Sequence, residues 1–369
     1  MKNIKNILAV FGTRPEAIKM CPLVIELKKR QSLSTVVCVS GQHRNMLDGV
    51  LYEFGVLPDD DMNIMRDGQT LFDITTAVLG GAKCAIERYR PDIVLVHGDT
   101  STAFAVSLAA FYLRVPVAHI EAGLRSDNIS EPFPEELNRR AIALMAKYHF
   151  APTDAARQNL LREGIADRDI FVVGNTVTDA LKITVKKDFS HPVLDFARDG
   201  ELIFVTAHRR ENLGANMDNI MIALRRIAEQ YERVRMVIPM HKNPAVRDCV
   251  LRHLDGCGRV MLTEPLDVFD CHNIIARSKI ILTDSGGIQE EAVSLGIPTL
   301  VLRSVTERAE GEDLGTLRLV GCNEDRIVKS FAELFSDEKK YKKAARAATL
   351  YGDGSTCRKI ADILENITL

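Results

Sequence analysis

Short apolar runs closed by polar turns alternate with longer amphipathic stretches along most of the chain. "NILAVF", "STVVCVS", "DIVLVHG", "VPVAHIE", "YHFAPT" and "DIFVVGN" read as buried strands. Between most of them lie segments with apolar residues at helical spacing, such as Ala17 to Lys29 and Thr70 to Tyr89. In the second, Leu71, Ile74, Val78, Leu79, Ala82, Ala85 and Ile86 fall on one broad face, which suits either an internal core or an interface. Such alternation predicts a parallel sheet with helices on both faces. A second series follows: "ELIFVTAHR", "RVRMVIPMH", "GRVMLTEP", "KIILTDSGG", "IPTLVLR" and "LRLVG". Between Asn175 and Gly200 the periodicity lapses. We therefore expect two Rossmann-like domains, residues 1–175 and 176–355. A last helix, with Ile360, Ile363, Leu364 and Ile367 at helical spacing after "YGDG", is expected to return residues 356–369 to the first domain.

Composition narrows the function classes. A chain of 369 residues suits two α/β domains, and 46% hydrophobic residues suffice for their cores. Mean hydropathy is near zero, and no apolar window approaches the ~18 residues of a membrane helix. Lys+Arg 48 against Asp+Glu 50 gives a net charge of -2, so nothing draws in nucleic acid globally and any anion site must be local. The apolar run Ile7 to Phe11 is too short for a secretion signal. The eight cysteines never form C-x-x-C; Cys21, Cys38 and Cys84 lie in apolar segments and read as small buried thiols. A reduced cytoplasmic enzyme without metal or cofactor is the expectation, and "PDDDMN" reads as a solvated loop.

Ligands of open parallel sheets sit at the carboxyl ends of the strands, and here those ends are polar. "FGTRPEAIK" has one glycine, Gly12, where a dinucleotide fingerprint needs three, and it supplies Arg14 and Lys19 instead. "HGDTST" supplies Asp99, which alone would read as an N-cap. "EAGLR" supplies Glu121, and "EPFPEELNRR" supplies Glu135 beside Glu136, whose i, i+4 spacing to Arg140 suggests a structural pair. In the second series, "AHRREN" gives His208 and Arg209, "MHKN" gives His241, and "RSVTER" gives Arg303, Glu307 and Arg308. "LTDSGGIQEEA" places Ser285 as a helix cap, with Gly286 and Gly287 opening backbone N–H groups to an anion. Glu290 or Glu291 follows as a partner for ribose hydroxyls. No D-x-D follows a strand, so arginines, lysines and helix ends must meet the diphosphate charge. The pattern predicts a nucleoside diphosphate in the second domain, with the three carboxylates Asp99, Glu121 and Glu135 moving protons on a neutral group such as a sugar carbon.

The runs "FGTRPEAIKM", "VHGDT", "EAGLR", "HRREN", "LTDSGG" and "YGDG", in this order, resemble the non-hydrolysing UDP-N-acetylglucosamine 2-epimerases along nearly the whole chain. The resemblance implies the glycosyltransferase-B arrangement, with a cleft between the domains and the last helix on the first. It implies reversible interconversion of UDP-GlcNAc and UDP-ManNAc for cell-surface polysaccharide synthesis, through loss of UDP to a 2-acetamidoglucal and its re-addition. It implies a homodimer. Arg14, Lys19, His208, Ser285, Gly286, Gly287, Glu291 and Arg308 would hold UDP, and Asp99, Glu121 and Glu135 would exchange protons, which is acid and which base being open. Some members bind a second UDP-GlcNAc as activator, and Gln42, Glu136 and His241 match that site. The chain departs from the family at Val268, Cys271, Val293, Ser304, Asn45 and Gly68. The alternatives are a hydrolysing 2-epimerase, which releases ManNAc and UDP, and a nucleotide-sugar sensor without catalysis.

Overall fold

In the computed structural model, which describes residues 4–42, 44–126, 128–304, 309–346 and 349–368, each apolar run becomes a strand. Two compact units result, Met1–Ile183 with Tyr351–Leu369, and Thr184–Leu350.

The first unit holds a parallel sheet of β1 (Lys5–Phe11), β2 (Leu33–Val39), β3 (Asp60–Asp61), β4 (Ile93–His97), β5 (Val117–Ile120), β6 (Tyr148–Ala151) and β7 (Ile170–Val172). Their spatial order is β3-β2-β1-β4-β5-β6-β7. The order reverses between β1 and β4, so the loops after these strands face one crevice. The edge strand β3 lies in the segment read as a solvated loop. Its carboxylates are engaged rather than free: Asp59 accepts from Val37 N at 2.8 Å, Asp60 pairs with Arg88, and Asp61 with Arg44.

The helix Leu71–Tyr89 buries Ile74, Val78, Ala82, Ala85 and Ile86 in one core with Leu8, Val10, Val94 and Val96. The predicted face is therefore internal, and Leu71, at the helix start, escapes it. Cys84 points the other way and is exposed, unlike the buried Cys21 and Cys38, which corrects its reading as a buried thiol. The helix Thr356–Asn366 buries Cys357, Ile360, Ala361 and Leu364 within this first unit and packs on the helix Arg14–Leu27. Lys5 Nζ donates to the carbonyls of Leu364, Glu365 and Ile367 at its end.

The second unit repeats the plan with β8 (Glu201–Thr206), β9 (Val234–Pro239), β10 (Val260–Thr263), β11 (Ile280–Thr283), β12 (Thr299–Val301) and β13 (Leu317–Leu319). All pair in parallel, in the order β10-β9-β8-β11-β12-β13. Here the reversal falls between β8 and β11, again placing two loops at one crevice. No helix among the described residues is long and apolar enough to cross a membrane.

Candidate active site

In the first unit, the turn after β1 is shaped by close approach. A Cβ on Gly12 would lie 1.8 Å from Ser40 Oγ, so packing against β2 explains the single glycine. Arg14 opens the helix Arg14–Leu27 and is half-buried. Glu16, two residues on, is 2% exposed. Its carboxylate accepts from Gly12 N at 3.0 Å, from Thr13 N and Oγ1 at 2.8 Å, and from Thr100 Oγ1 at 2.7 Å. It thus ties the Arg14 turn to the loop that carries Asp99. Burial pushes its pKa up to about 6 despite these donors. Sequence reasoning passed over Glu16, although Thr13-x-x-Glu16 is the signature of a helix start.

Glu121 follows β5 directly, at φ 65°, a left-handed conformation that is uncommon outside glycine. Its Oε2 accepts from Lys19 Nζ and from Asn175 Nδ2, the latter at 2.7 Å. Lys19 is thus buried and paired with a carboxylate of its own unit. His97 Nε2 stands 3.7 Å from the same oxygen, and burial lowers the imidazole to about 4, which keeps it neutral at pH 7. Asn175, from "GNTV", escaped the sequence reading because its contact with Glu121 is purely tertiary.

Asp99 is not an N-cap. Thr100 takes that role, accepting from Ala103 N at 3.0 Å, so the Asp99 side chain is engaged elsewhere. Its Oδ2 accepts from Arg139 Nη1 at 2.5 Å, and its carbonyl from Asn138 Nδ2 at 2.8 Å. Both partners come from the helix Glu135–Met145, whose first residue is Glu135. Glu135 Oε2 is buried without a hydrogen-bond partner among the described residues. Glu136 is fully buried and accepts from Arg139, Arg140 and Ser126 N, including the expected bond to Arg140 Nε at 2.9 Å. Gln42 Oε1 accepts from Thr102 Oγ1 at 3.1 Å.

In the second unit, Asp284 at the end of β11 is fully buried and organises the neighbouring loop. Its Oδ2 accepts from His208 N and Arg209 N at 2.8 Å and from Asn212 Nδ2 at 3.0 Å. The His208 ring stacks on His241, which follows β9, with centroids 5.1 Å apart. The helix Gly286–Leu295 starts at the glycine pair, where the first-turn N–H groups have no intrahelical acceptor. Ser285 holds the N-cap position, but its side chain makes no cap bond. The turn is tied instead by Thr283 Oγ1, which accepts from Ser285 N at 3.0 Å. Glu291 is buried beside Gly287. Arg303 Nε lies 3.4 Å from Glu211. Glu307 and Arg308 lie outside the described residues. Away from these loops, Asp218, Cys249 and His253 bring metal-ligand types together in space, where Arg252 also bonds Asp218.

The ends of β4 and β5 thus carry Asp99 and Glu121, with Glu135 opening the helix whose Asn138 and Arg139 hold Asp99, and the strand ends of the second sheet carry a helix N-terminus and two stacked imidazoles. A family model described as UDP-N-acetylglucosamine 2-epimerase matches residues 25–365. The chain is 52% identical over 364 residues to the UDP-N-acetylglucosamine 2-epimerase of Bacillus subtilis, covering 99% of this chain and 96% of the relative. It is similar to the S. aureus MnaA–UDP co-structure, with TM-score 0.94, 48% identity, and 98% and 96% of the two chains covered. It is also similar to the UDP-GlcNAc 2-epimerase of Neisseria meningitidis bound to UDP-GlcNAc, with TM-score 0.93, 44% identity, and 97% and 99% covered.

Proposed function

The chain belongs to the UDP-N-acetylglucosamine 2-epimerase family, and from that premise we propose how its own residues carry out the epimerisation at C2. UDP leaves C1 as the C2 proton is removed, a 2-acetamidoglucal forms, and UDP re-adds while C2 is protonated on the other face. The product is UDP-ManNAc, and no water enters the sugar.

The observation that carries this reading is the division of chemistry between the two sets of strand ends. The C2 hydrogen is not beside a carbonyl carbon and is poorly acidic, so departure of UDP must run ahead of deprotonation. The departing diphosphate needs donors whose hold strengthens as charge grows. The helix N-terminus at Gly286–Gly287 and the Asp284-folded turn of His208 and Arg209 suit that task, with Arg308 assigned there by its motif. Removing one such donor typically costs about 3 kcal/mol, or ~100-fold in rate. Glu291 takes the ribose. Asp99, Glu121 and Glu135 exchange the proton. Lys19 bonds Glu121 directly, so its first task is to position that carboxylate. We further propose a homodimer working in the cytoplasm.

Proton NMR of UDP-GlcNAc with the protein in D2O tests the reaction. Deuterium should appear at C2 of the nucleotide sugar, together with UDP-ManNAc signals. Folded protein that leaves C2 unexchanged would overturn the proposal, and free ManNAc without UDP-ManNAc would replace it with hydrolysis.

A further inference from the structure

Behind the helix Gly286–Leu295, the second unit aligns three buried polar side chains. Glu291 is 7% exposed, and its Oε1 lies 3.9 Å from where a Cβ on Gly287 would stand, so the carboxylate turns back toward the helix start. His272, 1% exposed, places Nε2 3.4 Å from that oxygen. Its Nδ1 lies 2.8 Å from Oγ1 of Thr184, a fully buried residue. Asn273 fixes the Thr184 segment in turn: Nδ2 donates to the Thr184 carbonyl, and Oδ1 accepts from Lys186 N, both at 2.8 Å.

An imidazole held at one nitrogen by a buried hydroxyl has little freedom to turn, and it presents its other nitrogen in a set direction. With Thr184 O–H donating to Nδ1, Nε2 of His272 carries the proton and faces Glu291 Oε1 at 3.4 Å. A carboxylate offers about four lone-pair positions. One oriented in this way can still accept from the adjacent hydroxyls of a ribose.

We propose that His272 is a positioning residue for Glu291, and that the pair makes the second unit discriminate ribose from 2′-deoxyribose in its nucleotide. The inference rests on the nucleotide reading above and sharpens it. A site built to accept from a sugar hydroxyl rejects the analogue that lacks it, because its buried acceptor is then left unpaired.

Calorimetric titration of the full chain with UDP and with 2′-deoxy-UDP tests this. Wild type should bind UDP roughly 10- to 100-fold more tightly, the worth of one hydrogen bond to a charged acceptor. His272→Phe, which keeps the bulk and loses both nitrogens, should bring the two affinities within about 3-fold by weakening UDP alone. His272→Gln restores an N–H near the Nε2 position and should recover most of the ratio. Thr184→Val removes only the buried hydroxyl and should give an intermediate ratio, with folding checked by thermal melts. The inference is overturned if the variants keep the wild-type ratio, or if they weaken both nucleotides equally, as a purely structural role would. Wild type binding both nucleotides alike overturns it and leaves the nucleotide reading standing. Failure to bind UDP at all removes that reading itself.

Discussion

Single residues in this fold do their work by holding loops, and Glu16 is the clearest case. Its carboxylate takes four hydrogen bonds from two loops while buried, and its pKa stands at about 6 against 4.5 for the free side chain. Because the folded value is raised, this group favours folding most below pH 4.5, and its contribution declines by roughly 2 kcal/mol as pH rises through 6. Glu16→Gln keeps the acceptor for Gly12 and Thr13 but cannot titrate. In urea melts at pH 4.5 and 7.5, the wild-type advantage over this variant should shrink by roughly 2 kcal/mol at the higher pH. Glu16→Ala leaves four donors without an acceptor and should cost roughly 3 kcal/mol or more at either pH. Arg14 sits in the turn that Glu16 secures. Arg14→Ala should therefore lower turnover more than it weakens UDP binding, and a variant with weaker binding at an unchanged turnover number would refute that role.

At the scale of strands and helices, burial stores a second pH response. His97 ends β4, His119 lies on β5 and His149 on β6, with His119 and His149 cross-strand neighbours. Burial lowers the three to about 4, 3 and 4. The unfolded chain takes up these protons from about pH 6.5 downward while the folded sheet does not, so stability falls as pH falls below that value. The slope can reach about 4 kcal/mol per pH unit when three protons separate the states. Glu16 opposes it with a single proton. Denaturant melts at pH 7, 6 and 5 should show a steep loss, and His149→Gln should flatten it by one proton. The histidines were legible only as strand residues, because burial depends on what the neighbouring elements cover. The strands themselves were readable because most apolar runs end at or just before a glycine or a charged residue, as Phe11 does before Gly12 and Thr283 before Asp284. The two-residue β3 has no such run and left no signal. Asn175, Arg139 and Asp284 hold partners 40 to 76 residues away, and local spacing carries no trace of those contacts.

For the molecule as a whole, the two units differ in how the chain completes them. The second is a continuous segment, Thr184–Leu350, with its own core built from Ile203, Met236, Ile280 and Phe331 among others. The first needs Tyr351–Leu369 to return to it. The returning helix buries Ile360 and Leu364, worth about 1.5–3 kcal/mol each. Its first N–H groups, from Thr356 and Cys357, donate to Asp179 at 3.1 and 3.2 Å. Lys5 takes its last carbonyls, and Arg30 pairs with Asp362 and Glu365. These terms together approach the whole stability of an ordinary domain, about 5–15 kcal/mol. Removing residues 354–369 should therefore unfold the first unit and spare the second. Hydrogen exchange of the truncated chain should show lost protection in β1, β4 and β5, with β8, β9 and β11 still protected. Residues 184–350 expressed alone should fold and bind UDP, since the Asp284 turn, the helix start at Gly286 and the Thr184–His272–Glu291 row all lie inside that segment. They should exchange no C2 proton, because Asp99, Glu121 and Glu135 are absent. A segment that folds yet fails to bind UDP would show that the nucleotide depends on the first unit as well.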